Sequence, residues 1–306
     1  MIKTIRSPFF YVGDKRKLMP QLLQLMPEQI NKFIEPFTGG GSSFLNTPAK
    51  EYLLNDIDEY MVKLHNFLMF YCDKREDFFD KTFKLINGYG LSCSYLNINV
   101  PEELKKRYIK TYYAHYNKKT YIKLRDDYNK DKNNMFRLYL LLIYGFNHMI
   151  RFNSKGDFNL PVGNVDFNKN VFTALNDYFD FIKDKKIMIN NLDYKEFLNS
   201  VVNIEPGDFI FLDPPYLISN SEYNKLWNEE NENKLYELLD ELNERGIKFG
   251  LTNLLNHKGK CNSILEEWSK KYYVYDIKSN YISFNDNSIK SNSKEVYVTN
   301  YGKKRV

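Results

Sequence analysis

Two stretches in which strand-like and helix-like patterns alternate, residues 1–60 and 186–306, flank a block, residues 61–185, that reads as helical almost throughout. That interruption fixes the plan. The chain should form one α/β domain split by an inserted helical domain, and no internal repeat offers another architecture. In the first stretch the pattern predicts a helix at about 14–26, a strand over "KFIEPF", a Gly-rich turn opening a second helix, and a strand over "EYLLNDID". In the last stretch "KIMINN", "DFIFL" and "IKFGLTN" read as strands. They are separated by helices over "DYKEFLNSV" and over residues 228–245, the second stopped by Gly246. "YYVYDIK" and "KEVYVTNY" are strand-like runs around an Asn/Ser-rich loop at 285–293. Within the helical block "FRLYLLLIYGF" is the clearest buried helix, whereas "IRFNSKGDFNLPVG" breaks the pattern and reads as a β-hairpin or loop.

Charge is unevenly placed on this plan. Residues 101–170 hold 14 Lys/Arg against 7 Asp/Glu, whereas the whole chain carries only +5. A basic segment on a near-neutral body fits either a polyanion-binding surface or solvated helix faces such as "EELKKRYIKTYY". No apolar run is long enough for a membrane span, and the polar start MIKTIRSPFFYVGDKRK does not fit a secretory leader. Cys72, Cys93 and Cys261 have neither metal-ligand nor CxxC spacing. The expectation is a reduced, cytoplasmic chain without a structural metal.

Two places carry candidate chemistry. "FIEPFTGGGSSF", residues 33–44, sets three glycines after a strand, where the backbone can approach a ligand closely. Glu35 and Asp56 fall at or near the ends of successive strands. The second acid lies about 20 residues beyond the glycines, as where a carboxylate takes ribose hydroxyls. Neither GxGxxG nor a GxxxxGK[ST] loop is present, which argues against a phosphate-rich cofactor. The other place is "GDFIFLDPPYLIS", residues 207–219. The apolar run Phe209–Leu212 reads as a short buried strand that ends at once in Asp213-Pro214-Pro215-Tyr216. Ligands of open α/β sheets bind outside the carboxyl ends of the strands, and an acid, rigid prolines and an aromatic ring there can grip a planar polar group.

Five motifs then fall in a fixed order: "FYVGDKRKL" (10–18), "FIEPFTGGGSSF" (33–44), "NDID" (55–58), "NNLDYKEFL" (190–198) and "FLDPPY" (211–216). Together they resemble the Dam-type, D12-class adenine-N6 DNA methyltransferases over nearly the whole chain. The resemblance implies a Rossmann-like S-adenosylmethionine-dependent sheet with an inserted, mainly helical target-recognition domain carrying a β-hairpin. Residues 1–60 and 186–306 would form the catalytic domain and residues 61–185 the recognition domain. Tyr11 and Lys15 would contact the cofactor, although the family usually has tryptophan at the first position and a glycine where Asp14 stands. Glu35 and Gly39 to Gly41 would frame the methionine moiety. Asp56 would bind the ribose, Phe37 and Ile57 would sandwich the adenine, and Asp193 with Tyr194 would complete its pocket.

For the reaction, Asp213 and the Pro214 carbonyl would hold the N–H bonds of the target amine, and Tyr216 would stack on the base. Such an adenine must be extruded from the duplex. Phe152 and Asn153 in the 147–164 hairpin resemble the pair that enters the base stack, and Arg151 and Lys155 would contact guanine or phosphate. Family members with similar hairpins read GATC or ATG-containing sites; Lys155 stands where GATC readers often carry arginine. The partner the resemblance implies is double-stranded DNA. The setting is a restriction–modification system, with a cognate endonuclease acting separately, or an orphan methylase. The alternatives are cytosine N4 or an RNA base as acceptor, or a DNA-binding module without turnover. The acid before Pro-Pro weighs against the first and the intact cofactor set against the last.

Overall fold

The computed structural model describes residues 3–201, 204–219, 227–278 and 293–302. Its centre is one sheet of β1 (Lys32–Glu35), β2 (Glu51–Asn55), β3 (Lys186–Asn190), β4 (Phe209–Leu212), β5 (Lys248–His257), β7 (Tyr273–Ile277) and β8 (Ser293–Thr299), with the short β6 (Lys260–Cys261) hung on β5. The order across the sheet is β3-β2-β1-β4-β5-β8-β7. The strands from β3 to β5 pair in parallel, while β8 runs antiparallel to both β5 and β7. β1 is therefore flanked by β2, its near neighbour in sequence, and by β4, which arrives far later.

The β4 sequence explains its central place. All four residues are apolar and buried, as in a strand covered on both faces. Phe209 and Phe211 pack with Phe33 and Tyr52 on one side. Ile210 and Leu212 pack with Ile34, Phe249 and Leu251 on the other. Side chains of this size contribute about 1.5–3 kcal/mol each on burial.

Helices α2 (Glu59–Phe70), α3 (Arg75–Tyr89), α4 (Glu102–Arg107), α5 (Tyr112–Lys130), α6 (Met135–Tyr144) and α7 (Lys169–Ile182) lie between β2 and β3 in the chain. In α6 every residue from Leu138 to Tyr144 is buried, so the helix is enclosed all round. One apolar cluster runs from the sheet face, through Phe9, Phe33 and Tyr52, into α2, α5, α6 and α7. Elsewhere, α1 (Met19–Leu25) precedes β1, α8 (Tyr194–Ser200) follows β3, α9 (Glu229–Glu244) precedes β5, and α10 (Ser263–Trp268) follows β6. Among the described residues no helix is long and apolar enough to cross a membrane.

Several elements differ from the sequence expectation. The first helix begins at Met19, with Pro20 in its first turn, where a missing N–H costs nothing; residues 14–15 are irregular and 16–18 form a turn instead. The Gly-rich turn opens only a three-residue 3-10 turn, Phe44–Asn46. Its extended cap Thr47 precedes Pro48, and proline disfavours helix in the residue before it. Residues 147–164 form no regular strand; isolated antiparallel bridges join Phe152 to Phe158 and Gly145 to Val162. The pattern did not announce α10 or β6. The 285–293 loop lies outside the described residues up to Ser293, which opens β8.

Candidate active site

The carboxyl ends of β2, β1 and β4 stand side by side, and each delivers an acid. Glu35 closes β1 and is 1% exposed. Burial, together with the nearby carboxylates of Asp213 and Asp56, holds its carboxyl well above the usual range, despite hydrogen bonds from Ser43 and the Phe44 amide. Its Oε2 is buried and has no hydrogen-bond partner among the described residues. Asp56 follows β2. Its Oδ2 accepts the Gly39 amide at 2.6 Å and its Oδ1 the Asp58 amide at 2.9 Å. Desolvation pushes this carboxyl up to about 6, against the pull of those amides.

The glycine turn between these acids is tightly enclosed. A Cβ on Gly40 would lie 2.9 Å from the Tyr11 Cβ, and one on Gly41, at φ +80°, would lie 2.3 Å from the Phe44 ring. The Gly39 carbonyl accepts from His65 Nε2 at 3.0 Å, while His65 Nδ1 faces the Tyr178 hydroxyl at 3.2 Å. Burial lowers His65 to about 4, so the ring is neutral and donates to Gly39. Asn55 binds three segments together: its amide group donates to the Pro36 and Leu192 carbonyls at 3.1 and 3.0 Å and accepts from the Leu192 amide at 3.0 Å.

Asp213 follows β4. Tyr216 and Thr252 hydroxyls donate to its Oδ1 at 2.9 and 2.7 Å, and Lys15 Nζ lies 3.1 Å from the same atom. No hydrogen bond among the described residues ends on Oδ2. Glu295, buried in β8, is the second anchor of this group: its Oε1 lies 2.8 Å from the Tyr216 hydroxyl and 3.5 Å from Lys15 Nζ. Lys15 also sits 4.7 Å from the centre of the Tyr216 ring, which is only 9% exposed. Tyr11, nearby in sequence, is buried and reaches Asp58 Oδ2 at 3.3 Å.

The residues expected to enclose an adenine divide. Phe37 and Tyr194 pack together, centroids 5.4 Å apart, and Trp227 joins them at 5.8 and 5.7 Å. Glu232 fixes Trp227 through a 2.6 Å bond from the indole N–H. Asp193 is exposed and caps α8, accepting the Lys195 amide at 2.9 Å. Ile57 projects to solvent, 69% exposed, outside this aromatic group.

The structure gathers Arg151, Phe152, Asn153 and Lys155 into one loop beside the start of α2. Phe152 is half-buried and stacks on Tyr60 with centroids 4.1 Å apart. Asn153 Oδ1 accepts the Lys155 and Asp157 amides at 2.9 and 3.0 Å, shaping the turn. Arg151 folds back on Asn159, with bonds of 2.9 and 2.8 Å. Lys155 is exposed. The Tyr60 stack makes Phe152 an anchor of the loop in this state. Phe152→Ala is therefore expected to lower the melting temperature, by the roughly 0.5–1.5 kcal/mol of a ring pair plus its forfeited burial. An unchanged melting temperature would deny the ring this anchoring role.

Reasoning from sequence missed Glu295, Thr252, Trp227, Asn55 and His65. Only Glu295 carried a signal, as a lone acid in the otherwise apolar-rich run "EVYV".

Over residues 11–283 the sequence matches the family described as D12 class N6 adenine-specific DNA methyltransferases. The chain is 32% identical over 305 residues to the Type II methyltransferase M.FokI of Planomicrobium okeanokoites, a match covering 97% of this chain and 43% of that protein. It is 32% identical over 312 residues to the modification methylase StsI of Streptococcus sanguinis, covering 98% and 43%. The DNA adenine methylase of Escherichia coli K12 is 26% identical over 292 residues, covering 90% of this chain and 88% of that protein. The chain thus spans less than half the length of the first two relatives.

Proposed function

The chain belongs to the D12 class of N6 adenine-specific DNA methyltransferases, and on that premise we propose that it methylates N6 of an adenine in a short duplex site, using S-adenosylmethionine. The observation that carries this reading is Asp213, whose bonding groups converge on Oδ1 while Oδ2 accepts none among the described residues.

The N6 lone pair of adenine is delocalised into its ring, so the amine attacks poorly unless its hydrogens are held. Asp213 Oδ2 and the Pro214 carbonyl are the two acceptors. The prolines fix φ and set that carbonyl before the base arrives. Asp213 Oδ2 also takes the proton that N6 sheds on methylation. Lys15 and Tyr216, each shared with Glu295, keep the Asp213 carboxylate from rotating.

Bound S-adenosylmethionine supplies an electrophilic methyl carbon on a sulfonium. The residues present suit it. The orphaned Glu35 Oε2 fits an ammonium group, Gly40 and Gly41 leave no space for side chains beside the ligand, and Asp56 offers a carboxylate for hydroxyls. Phe37, Tyr194 and Trp227 give an aromatic wall. The helical block, residues 61–185, would serve target recognition through the 147–164 loop, with a GATC or ATG-containing site. The named relatives include a Type II methyltransferase and a modification methylase. They favour a role as the modification arm beside a separate endonuclease.

Transfer of labelled methyl from the cofactor to duplex DNA, followed by nucleoside analysis, tests the reading. Label is expected in N6-methyladenine; label in N4-methylcytosine, or none, would overturn it. A second expectation concerns Glu35. Burial raises the Glu35 carboxyl and an arriving cation should lower it again, so cofactor binding should release protons and tighten as pH rises. Calorimetry at about pH 7.5, where Asp56 is already largely ionised, in two buffers of different ionisation heat should give different enthalpies. Glu35→Gln should remove the difference. Identical heats for the unaltered chain would contradict the assignment.

A further inference from the structure

We propose that Arg6 and Arg16 form a clamp for a backbone phosphate of duplex DNA, at a place distinct from the 147–164 loop; the clamp rests on the reading that the chain acts on DNA. Arg6 has no acceptor among the described residues, and Arg16 has only long contacts to Thr4 and Asp14. Arg6 makes no hydrogen bond or salt bridge among the described residues, and its Nε is buried without a partner. It lies instead over the Phe10 ring, 4.3 Å from the centroid. Arg16 Nε is likewise buried and unbonded. Its nearest carboxylate oxygen, on Asp14, is 3.9 Å away, beyond hydrogen-bond reach. Arg16 Nη1 reaches only the Thr4 hydroxyl, at a long 3.5 Å. Asp14 Oδ1 is already committed to the Ser42 hydroxyl at 2.5 Å and the Arg16 amide at 2.8 Å. Burial, and then the charge of Arg16, lowers the basicity of Arg6. Two forks with unfilled donors, on the same amino-terminal segment as Thr4 and Phe10, match the paired oxygens of a phosphodiester.

Position favours DNA over other anions. Arg16 follows Lys15, whose Nζ touches Asp213 at 3.1 Å. Phe10, which carries Arg6, meets His148 at 5.4 Å, at the foot of the loop assigned to recognition. Phe10, Asn147 and His148 all take left-handed backbone, with φ of 53°, 52° and 50°. Strain of this kind persists where the surroundings hold a geometry in place, and it clusters at binding sites. Arg16 is thus the chain neighbour of a residue that touches the candidate acceptor of the target amine, and Arg6 is joined through Phe10 to the foot of the recognition loop. The phosphates of a nucleotide whose base reaches Asp213 would pass there. Lys3 and Lys17, both exposed, extend the same charge.

The test is the salt dependence of binding to a short duplex, with cofactor affinity measured alongside by calorimetry. For R6Q/R16Q the slope of log Kd against log salt should fall in magnitude by about one for each phosphate no longer neutralised. The Kd for S-adenosylmethionine should stay unchanged. R6K/R16K, which keeps charge but not the forks, should restore the slope but not the full affinity. If the double glutamine variant does not fold, R16Q alone is held to the same slope criterion. An unchanged slope would overturn the clamp. So would weakened cofactor binding with an unchanged slope, which would give the site to the cofactor's carboxylate. Absence of salt-dependent duplex binding by the unaltered chain would overturn the DNA reading as well as the clamp.

Discussion

Asp213→Ala is expected to lower the turnover number by about 10³ or more, the scale seen when a preorganised group at the reacting centre is removed, while cofactor affinity changes less than about threefold. The direction follows from the bonding. With the carboxylate gone, the target amine has only the Pro214 carbonyl to hold it. Lys15 and Tyr216 then have Glu295 as their remaining carboxylate in this group. The variant should also melt earlier, because Lys15 is 8% exposed and loses its closer counter-ion. Single-turnover transfer, with cofactor affinity read separately, separates lost chemistry from lost binding. Asp213→Asn should fall between, since its amide can accept at one atom but no longer balances Lys15. Turnover of the alanine variant within threefold of the original would remove Asp213 from the mechanism.

Asp56→Ala is expected to weaken cofactor binding by roughly 1.5–3 kcal/mol, the scale of hydrogen bonds to a charged group. The change would remove more than a ribose acceptor. Asp56 Oδ2 also holds the Gly39 amide at 2.6 Å, so the glycine turn should loosen too. A pH signature accompanies this. The carboxyl titrates at about 6 in the folded chain, against 3.8 for an ordinary aspartate. The Asp56 contribution to cofactor affinity should be level above that point and decline as pH falls through it. Fold stability should respond the other way. A raised carboxyl favours the folded state fully below 3.8, and that contribution is lost as pH rises through about 6. Acidifying from neutrality should therefore strengthen this contribution to the fold while weakening cofactor binding. The alanine variant should lose both trends. A cofactor Kd unchanged by the substitution would reduce "NDID" to a strand end.

Local signals explain what could be read in advance. The run Phe209–Leu212, stopped by an acid and two prolines, marked a buried strand and its functional end within eight residues. The acids closing β1 and β2 were equally local. What escaped were meetings between distant segments. Nothing in "VGDKRK" says that Lys15 will sit between Asp213 and Glu295, because that meeting depends on β8 entering the sheet beside β5. Phe152 looked like a ring with nothing to cover it, since its partner Tyr60 belongs to a helix far back in the chain. The helix after the glycines failed for the opposite reason. Three small residues and Ser-Ser suggested a start, but Pro48 left no length to propagate.

The place of β8 has a consequence for the order in which a newly made chain becomes complete. The last described strand enters the interior of the sheet, between β5 and β7, and not its margin. As the ribosome delivers the chain from the amino end, Tyr273–Ile277 has no neighbour among the described strands to pair with until Ser293–Thr299 emerges. Glu295 arrives with that segment. A nascent chain can thus hold the first acids and the Asp-Pro-Pro-Tyr turn while Lys15 and Tyr216 still lack their second carboxylate. Completion of this carboxylate group therefore waits until Ser293–Thr299 has paired into the sheet.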